Sequence, residues 1–158
     1  MPYLIDGNNL IGSISRFSQH DPRSRLDLLG QLWLFQRTTR SRLVVVFDGP
    51  SDPELMAECR RWPKFELYFA RPGEKADEVL LSLIQKSKQP GAIILVTSDR
   101  ELQAKGRLKG VKLLTSQEFA RRLKKILKEK RKARELHKPR FAASSLETKI
   151  WLETLTRK

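Results

Sequence analysis

Cysteine is nearly missing from this chain of 158 residues: Cys59 stands alone, which excludes an internal disulfide and any cysteine-based zinc cluster. Histidine is almost as scarce. His20 and His137 are the only two, neither adjoins a motif, and chemistry that depends on a histidine base has no evident carrier. Long apolar runs are lacking too. The best, Leu43–Phe47 and 93–96, fall far short of a bilayer span. The amino-terminal stretch is apolar but carries Asp6 and no leading basic cluster, so it does not read as a signal peptide. The chain contains no G-x-x-x-x-G-K-[ST] phosphate loop, no G-x-G-x-x-G, no G-x-S-x-G elbow and no internal repeat. These absences favour a cytoplasmic protein with no membrane partner.

What is present is core material and positive charge. Hydrophobic residues make up 39% and charged residues 32%, a balance that supports one compact domain. Lys and Arg number 32 against 18 Asp and Glu, a formal +14. The excess is concentrated: residues 121–140 hold 11 basic and 2 acidic side chains. Lys124, Lys125, Lys128, Lys130, Arg131, Lys132 and Arg134 are the candidate contacts to a nucleic-acid backbone, because each neutralised phosphate releases counterions. The plainer alternative is a solvated helical face. An anionic membrane surface is a poorer fit, since the segment lacks interleaved Trp and Phe.

Patterning predicts an alternation of strands and helices. Tyr3–Asp6 reads as a short buried strand running into the turn-rich Asp6-Gly7-Asn8-Asn9. Leu26, Leu29, Trp33 and Gln36 recur at helical spacing and predict a helix over 23–40. Leu43–Phe47 is a β-branched run stopped by Asp48-Gly49-Pro50, and 53–61 reads as a short helix opened by Pro53. Phe65–Phe69 is a third strand, 76–88 a helix, 92–96 a fourth strand and 111–114 a fifth. A short helix from Glu101 is expected to end at Gly106, and a long one starts at Ser116 with Phe119, Leu123, Ile126 and Leu127 on its apolar face. Residues 137–145 read as a linker and 146–155 as a terminal helix. Strands apolar throughout, alternating with helices, predict a parallel sheet covered on both faces.

Four aspartates recur at the strand ends. Asp6, Asp48 and Asp99 follow strands, and Asp77 opens a helix after the third strand. Ligands of open α/β sheets bind outside the carboxyl ends of strands, so these acids are expected to converge. Such a cluster repels itself, and a hard cation such as Mg²⁺ or Mn²⁺ relieves it. Metal so held activates water and stabilises a phosphodiester in flight, without Cys, Ser or His. Asn8, Asn9, Thr97 and Ser98 supply neutral hydrogen bonds beside the acids. Each acid also has a purely structural reading: Asx turns for Asp6 and Asp48, a helix-dipole acid for Asp77, an N-cap for Asp99. Asp77 lies three, four and seven residues before Leu80, Leu81 and Ile84, on the buried stripe, which assigns it to the metal and leaves Glu78 as a helix-dipole acid or an outer partner.

Tyr3-Leu4-Ile5-Asp6-Gly7-Asn8-Asn9, Val45-Val46-Phe47-Asp48-Gly49, Ala76-Asp77-Glu78 and Val96-Thr97-Ser98-Asp99, in that order, resemble the motif set of NYN domains in the PIN-like nuclease group, most closely the bacterial YacP-like branch. The resemblance implies a three-layer α/β sandwich with about five parallel strands, helices on both faces and a basic C-terminal helix. It implies a nuclease core over 1–120 with the basic helix continuing from it over 116–140; residues 141–158, a linker and short C-terminal helix, are not part of the resemblance. It further implies a Mg²⁺- or Mn²⁺-dependent endoribonuclease whose catalytic, metal-holding acids are Asp6, Asp48, Asp77 and Asp99. RNA is the implied partner, with messenger RNA on the ribosome as the setting, for a monomer or weak dimer. The alternative from another class is an RNA- or ribosome-binding module without catalysis. A small-substrate phosphatase is a third reading, but it leaves the basic segment without a purpose.

Overall fold

The computed structural model of the chain describes residues 2–14 and 21–136. The expected linker and terminal helix beyond residue 136 lie outside the described residues. Five strands, β1 (Tyr3–Asp6), β2 (Leu43–Phe47), β3 (Phe65–Phe69), β4 (Ile94–Val96) and β5 (Lys112–Leu114), form one sheet in the order β3-β2-β1-β4-β5. All four pairings are parallel, with Ile5 opposite Val45 on one side and Val96 on the other. The helices are α1 (Gly7–Ser13), α2 (Pro22–Thr39), α3 (Pro53–Cys59), α4 (Ala76–Lys86), α5 (Arg100–Leu108) and α6 (Ser116–Leu136).

Strand alternation divides the core in two. Tyr3, Ile5, Leu43, Val45, Phe47 and Val96 face the layer built by α1, α2 and α6, where Leu28, Leu32, Phe35, Phe119 and Leu123 are buried. Leu4, Val44, Val46 and Leu95 face the other way, onto Ala76, Leu80 and Ile84 of α4 and Leu102 of α5. β2, an inner strand of this arrangement, is dry on both faces, which is why it is apolar at every position rather than at every second one, whereas the edge strands β3 and β5 carry the half-buried Glu66 and the exposed Tyr68 and Lys112. Each fully buried Leu or Phe contributes about 1.5–3 kcal/mol. The result is the expected three-layer α/β sandwich.

Three local readings are corrected. Asp6-Gly7-Asn8-Asn9 is the first turn of α1 rather than a free turn, because the Asp6 carboxylate accepts the Asn9 N–H and caps the helix. Gly106 does not end α5. It is buried within the helix, where a Cβ would lie 2.8 Å from Leu95 Cδ2, and the helix stops two residues later at Leu108. Gly110, at φ 88°, takes the left-handed position after it, and Val111 N–H donates back to Gly106 O at 3.3 Å. The fourth strand starts at Ile94 because Pro90–Ala92 forms a single 3₁₀ turn ahead of it.

Cys59 is buried on α3, and burial pushes its thiol up to about 12. It behaves as a small apolar residue.

Candidate active site

The order β3-β2-β1-β4-β5 reverses at β1, so the crevice beside its carboxyl end is the topological switch point of the sheet. The turn that follows β1 ties this rim together. Gly7 packs so closely under β2 that an added Cβ would lie 2.4 Å from Phe47 Cε1. Asn8 Oδ1 accepts the Asp48 N–H at 2.9 Å, and Asn9 Oδ1 accepts the Ser98 N–H at 2.8 Å and the Ser116 hydroxyl at 2.5 Å. One tetrapeptide thereby holds the ends of β2 and β4 and the start of α6.

The acids are set on that frame. Asp6 Oδ1 accepts the Asn9 N–H at 3.4 Å while Oδ2 accepts the hydroxyl of fully buried Thr97 at 3.4 Å. Thr97 Oγ1 in turn accepts the Asp99 N–H at 3.2 Å, and Gln103 Nε2 donates to Thr97 O at 2.8 Å. Asp99 Oδ1 caps α5 through the N–H groups of Glu101 and Leu102, at 2.9 and 3.3 Å. Asp48 Oδ1 accepts the Ala76 N–H at 2.7 Å, so an acid from β2 caps α4, whose own N-cap, Lys75, offers no side-chain bond. Among the described residues, the second oxygens of Asp48 and Asp99 carry no hydrogen bond.

Asp6 is electrostatically the most disturbed of the four. Burial is the main cause that pushes its carboxyl up to about 6; the Asn9 N–H opposes the rise, the charge of Asp48 adds to it, the Thr97 hydroxyl opposes, and Asp99 adds a smaller share. Asp6, Asp48 and Asp99 therefore share one rim. Asp77 joins it less directly. It sits half-buried in the first turn of α4, its Oδ1 accepting the N–H of exposed Glu78 at 3.0 Å, and it reaches the others through the Asp48–Ala76 bond. The basic residues Lys124, Lys125, Lys128, Lys130, Arg131, Lys132 and Arg134 all lie on α6, outward or half-buried, with Arg131 Nε 3.5 Å from Glu135 Oε1.

Among the described residues, no group of three or more His, Cys, Asp or Glu side chains forms a ready metal cage. The donor set suits Mg²⁺ or Mn²⁺ nonetheless. Such ions keep several waters and take one or two carboxylates plus substrate oxygens, so a half-open rim of hard oxygen donors around a half-buried Asp6 is compatible with them.

Sequence reasoning did not find Arg25, Ser116, Gln103 or Gln117. Arg25 lies in the first turn of α2, donates to Asp48 O at 2.6 Å, and places its guanidinium 5.3 Å from the Phe47 ring and 5.6 Å from the Phe69 ring. Ser98 Oγ donates to Gln117 Oε1 and accepts the Ser116 N–H at 3.1 Å. Sequence pattern marks Ser116 only as the start of the last helix; it meets Ser98 and Asn9 only in space, and no local pattern marks Arg25.

The chain matches the model of the YacP-like NYN domain over residues 3–157. Two crystal structures of Rae1 (YacP) from Bacillus subtilis, one of a point mutant, superpose on it with a TM-score of 0.71 and 24% sequence identity. The point mutant covers 97% of this chain and 91% of its own, the other structure 99% and 88%. At that identity the likeness establishes the fold. No curated protein matches the chain.

Proposed function

Because this chain belongs to the family of YacP-like NYN domains, a nuclease-type family with an RNA-related function, we propose that it is a divalent-metal-dependent endoribonuclease. The observation that carries the reading is the gathering of Asp6, Asp48 and Asp99 on the switch-point rim, with Asp6 held at about 6 by burial and by its neighbours' charge. Asp6 and Asp99, with Asp48 beside them and Asp77 at the helix entrance, would hold Mg²⁺ or Mn²⁺. A bound ion would supply charge neutralisation for the phosphodiester and activation of water. The chain's own groups fix the frame: Thr97 holds one oxygen of Asp6, Asn9 and Ser98 lock β4 to α6, and Asn8 and Arg25 fix the backbone of Asp48. The basic face of α6 supplies affinity for the RNA backbone. Messenger RNA on the ribosome is the proposed substrate setting.

One observation favours the second reading, an RNA- or ribosome-binding module without catalysis. Asp6, Asp48 and Asp99 each cap a helix, so a structural role accounts for one oxygen of each. It leaves unexplained why Asp6 is half-buried beside two further carboxylates at an energetic cost. The deciding experiment uses purified protein and RNA labelled at its 5′ end. Internal cuts that appear with Mg²⁺ or Mn²⁺ and vanish with EDTA support the nuclease; binding without cuts, on naked RNA and on ribosomes, supports the module.

A further inference from the structure

A parallel sheet separates its connections by direction: those entering strands meet at one edge, those leaving at the other. The four connections entering β2 to β5 (40–42, 60–64, 87–93 and 109–111) contain seven Lys or Arg and no Asp or Glu. All seven are exposed. The four leaving those strands (48–52, 70–75, 97–99 and 115) contain four Asp or Glu and two Lys or Arg. The sheet is thus polar along its strands, acidic at the rim that carries Asp6 and basic at the opposite edge. Cations in the last turn of a helix are favoured by its dipole, which accounts for Lys86 or Arg107. That preference does not account for Arg60, Arg61 and Lys64 between α3 and β3, nor for the lack of a single acid in four connections. Among the described residues, Arg42 is the one of the seven with an ion-pair partner, Glu66 at 2.8 Å.

Helix α6 runs toward the same basic edge. It begins at the acid rim, where the Ser116 hydroxyl meets Asn9, and by Arg122 it has reached the first residue of β1, with Arg122 Nη1 3.5 Å from the Tyr3 hydroxyl. The basic residues from Lys124 to Arg134 follow that point. At 1.5 Å per residue, the twelve positions from Arg122 to Arg134 extend roughly 18 Å further. The strongest positive charge of the described chain therefore lies on the order of 20–30 Å from the acids, counting about 10 Å along β1. An acidic rim does not attract a polyanion; the basic edge does.

We propose that this basic edge, with the C-terminal half of α6, is a docking surface for structured RNA, so that the part of an RNA held by the protein and the part presented to the acids are different. The proposal rests on the nuclease reading for its biological sense, but its binding surface does not require cleavage. An anionic lipid surface is the less apt occupant, because the entering connections offer only Trp62 among aromatic residues and it is buried.

The test is equilibrium binding by the full chain in EDTA, against a stem-loop with a single-stranded arm, a tetranucleotide, and vesicles of mixed neutral and anionic phospholipid. Two variants are compared with the parent, Arg60→Gln/Arg61→Gln/Lys64→Gln and Lys88→Gln/Lys109→Gln/Lys132→Gln, each first shown to be folded by circular dichroism. Both should weaken stem-loop binding by about tenfold or more and flatten log K against log salt by roughly 2–3 units. Affinity for the tetranucleotide should fall much less. An unchanged salt slope in both variants overturns the proposal, as does equal loss on the short and long RNA, or a loss confined to vesicles. If no RNA is ever cut but the slopes fall as stated, the docking surface stands and the nuclease reading fails.

Discussion

Asn8 Oδ1 accepts the backbone N–H of Asp48 at 2.9 Å, joining the turn after β1 to the end of β2 across forty positions of sequence. The bond fixes where the Asp48 carboxylate begins, and that carboxylate in turn caps α4 at Ala76. Loss of one acceptor for a part-buried N–H costs about 1–3 kcal/mol. Asn8→Ala should therefore destabilise the chain by that amount in urea titration, and should lower RNA cleavage by more than Asn8's distance from the substrate alone explains. Unchanged stability and cleavage would show that the clasp is dispensable.

Asp6 makes stability depend on pH. Its carboxyl stands at about 6 in the folded chain against 3.8 ordinarily. Between these values the folded state binds more protons than the unfolded one, so stability falls as pH rises from about 4 to 6 and then levels off. The penalty at pH 7 is on the order of 2–3 kcal/mol at most. In metal-free buffer Asp6→Asn should melt higher than the parent at pH 7 and the same at pH 4. Mg²⁺ should raise the melting temperature of the parent at pH 7 and not that of the variant. A variant less stable at both pH values would mean that burial is compensated within the fold.

Gly7 and Phe47 are coupled by contact. A methyl group at position 7 meets the fully buried Phe47 ring at 2.4 Å, so Gly7→Ala should cost about 1–3 kcal/mol by overpacking. Adding Phe47→Leu should recover part of that loss, leaving the double variant more stable than the sum of the two single changes predicts. Additive losses would place the strain elsewhere.

Much of this was legible in the sequence because β2 is dry on both faces. Leu43–Phe47 is apolar at every position for that reason, and Asp48 ends it where its carboxylate accepts the Ala76 N–H. Sequence order also located Asp6, Thr97 and Asp99, which share the rim because β1 and β4 are neighbours. What pairing creates was less visible. Arg25 acts on Asp48 only because α2 crosses the end of β2, and Ser116 meets Asn9 only because α6 begins beside β4. Gly106 looked like a stop because glycine usually is one, whereas here it admits Leu95 against the helix.

Adjacent acids on α4 should differ in weight. Asp77 is half-buried and Glu78 is exposed. At saturating Mg²⁺, Asp77→Asn should reduce the cleavage rate by orders of magnitude and Glu78→Gln by much less. The reverse ranking would mean that the first turn of α4 presents its other side to the substrate.

The central claim is that Asp6 and Asp99 hold the metal that cuts RNA, and single-turnover cleavage of 5′-labelled RNA at varied Mg²⁺ and Mn²⁺ tests it most directly. The account predicts metal-dependent internal cuts by the parent, a loss of at least about a hundredfold in Asp6→Asn and in Asp99→Asn, and melting temperatures in both variants that show a folded chain. Cleavage at the parental rate by both variants, with the same metal dependence, would contradict it.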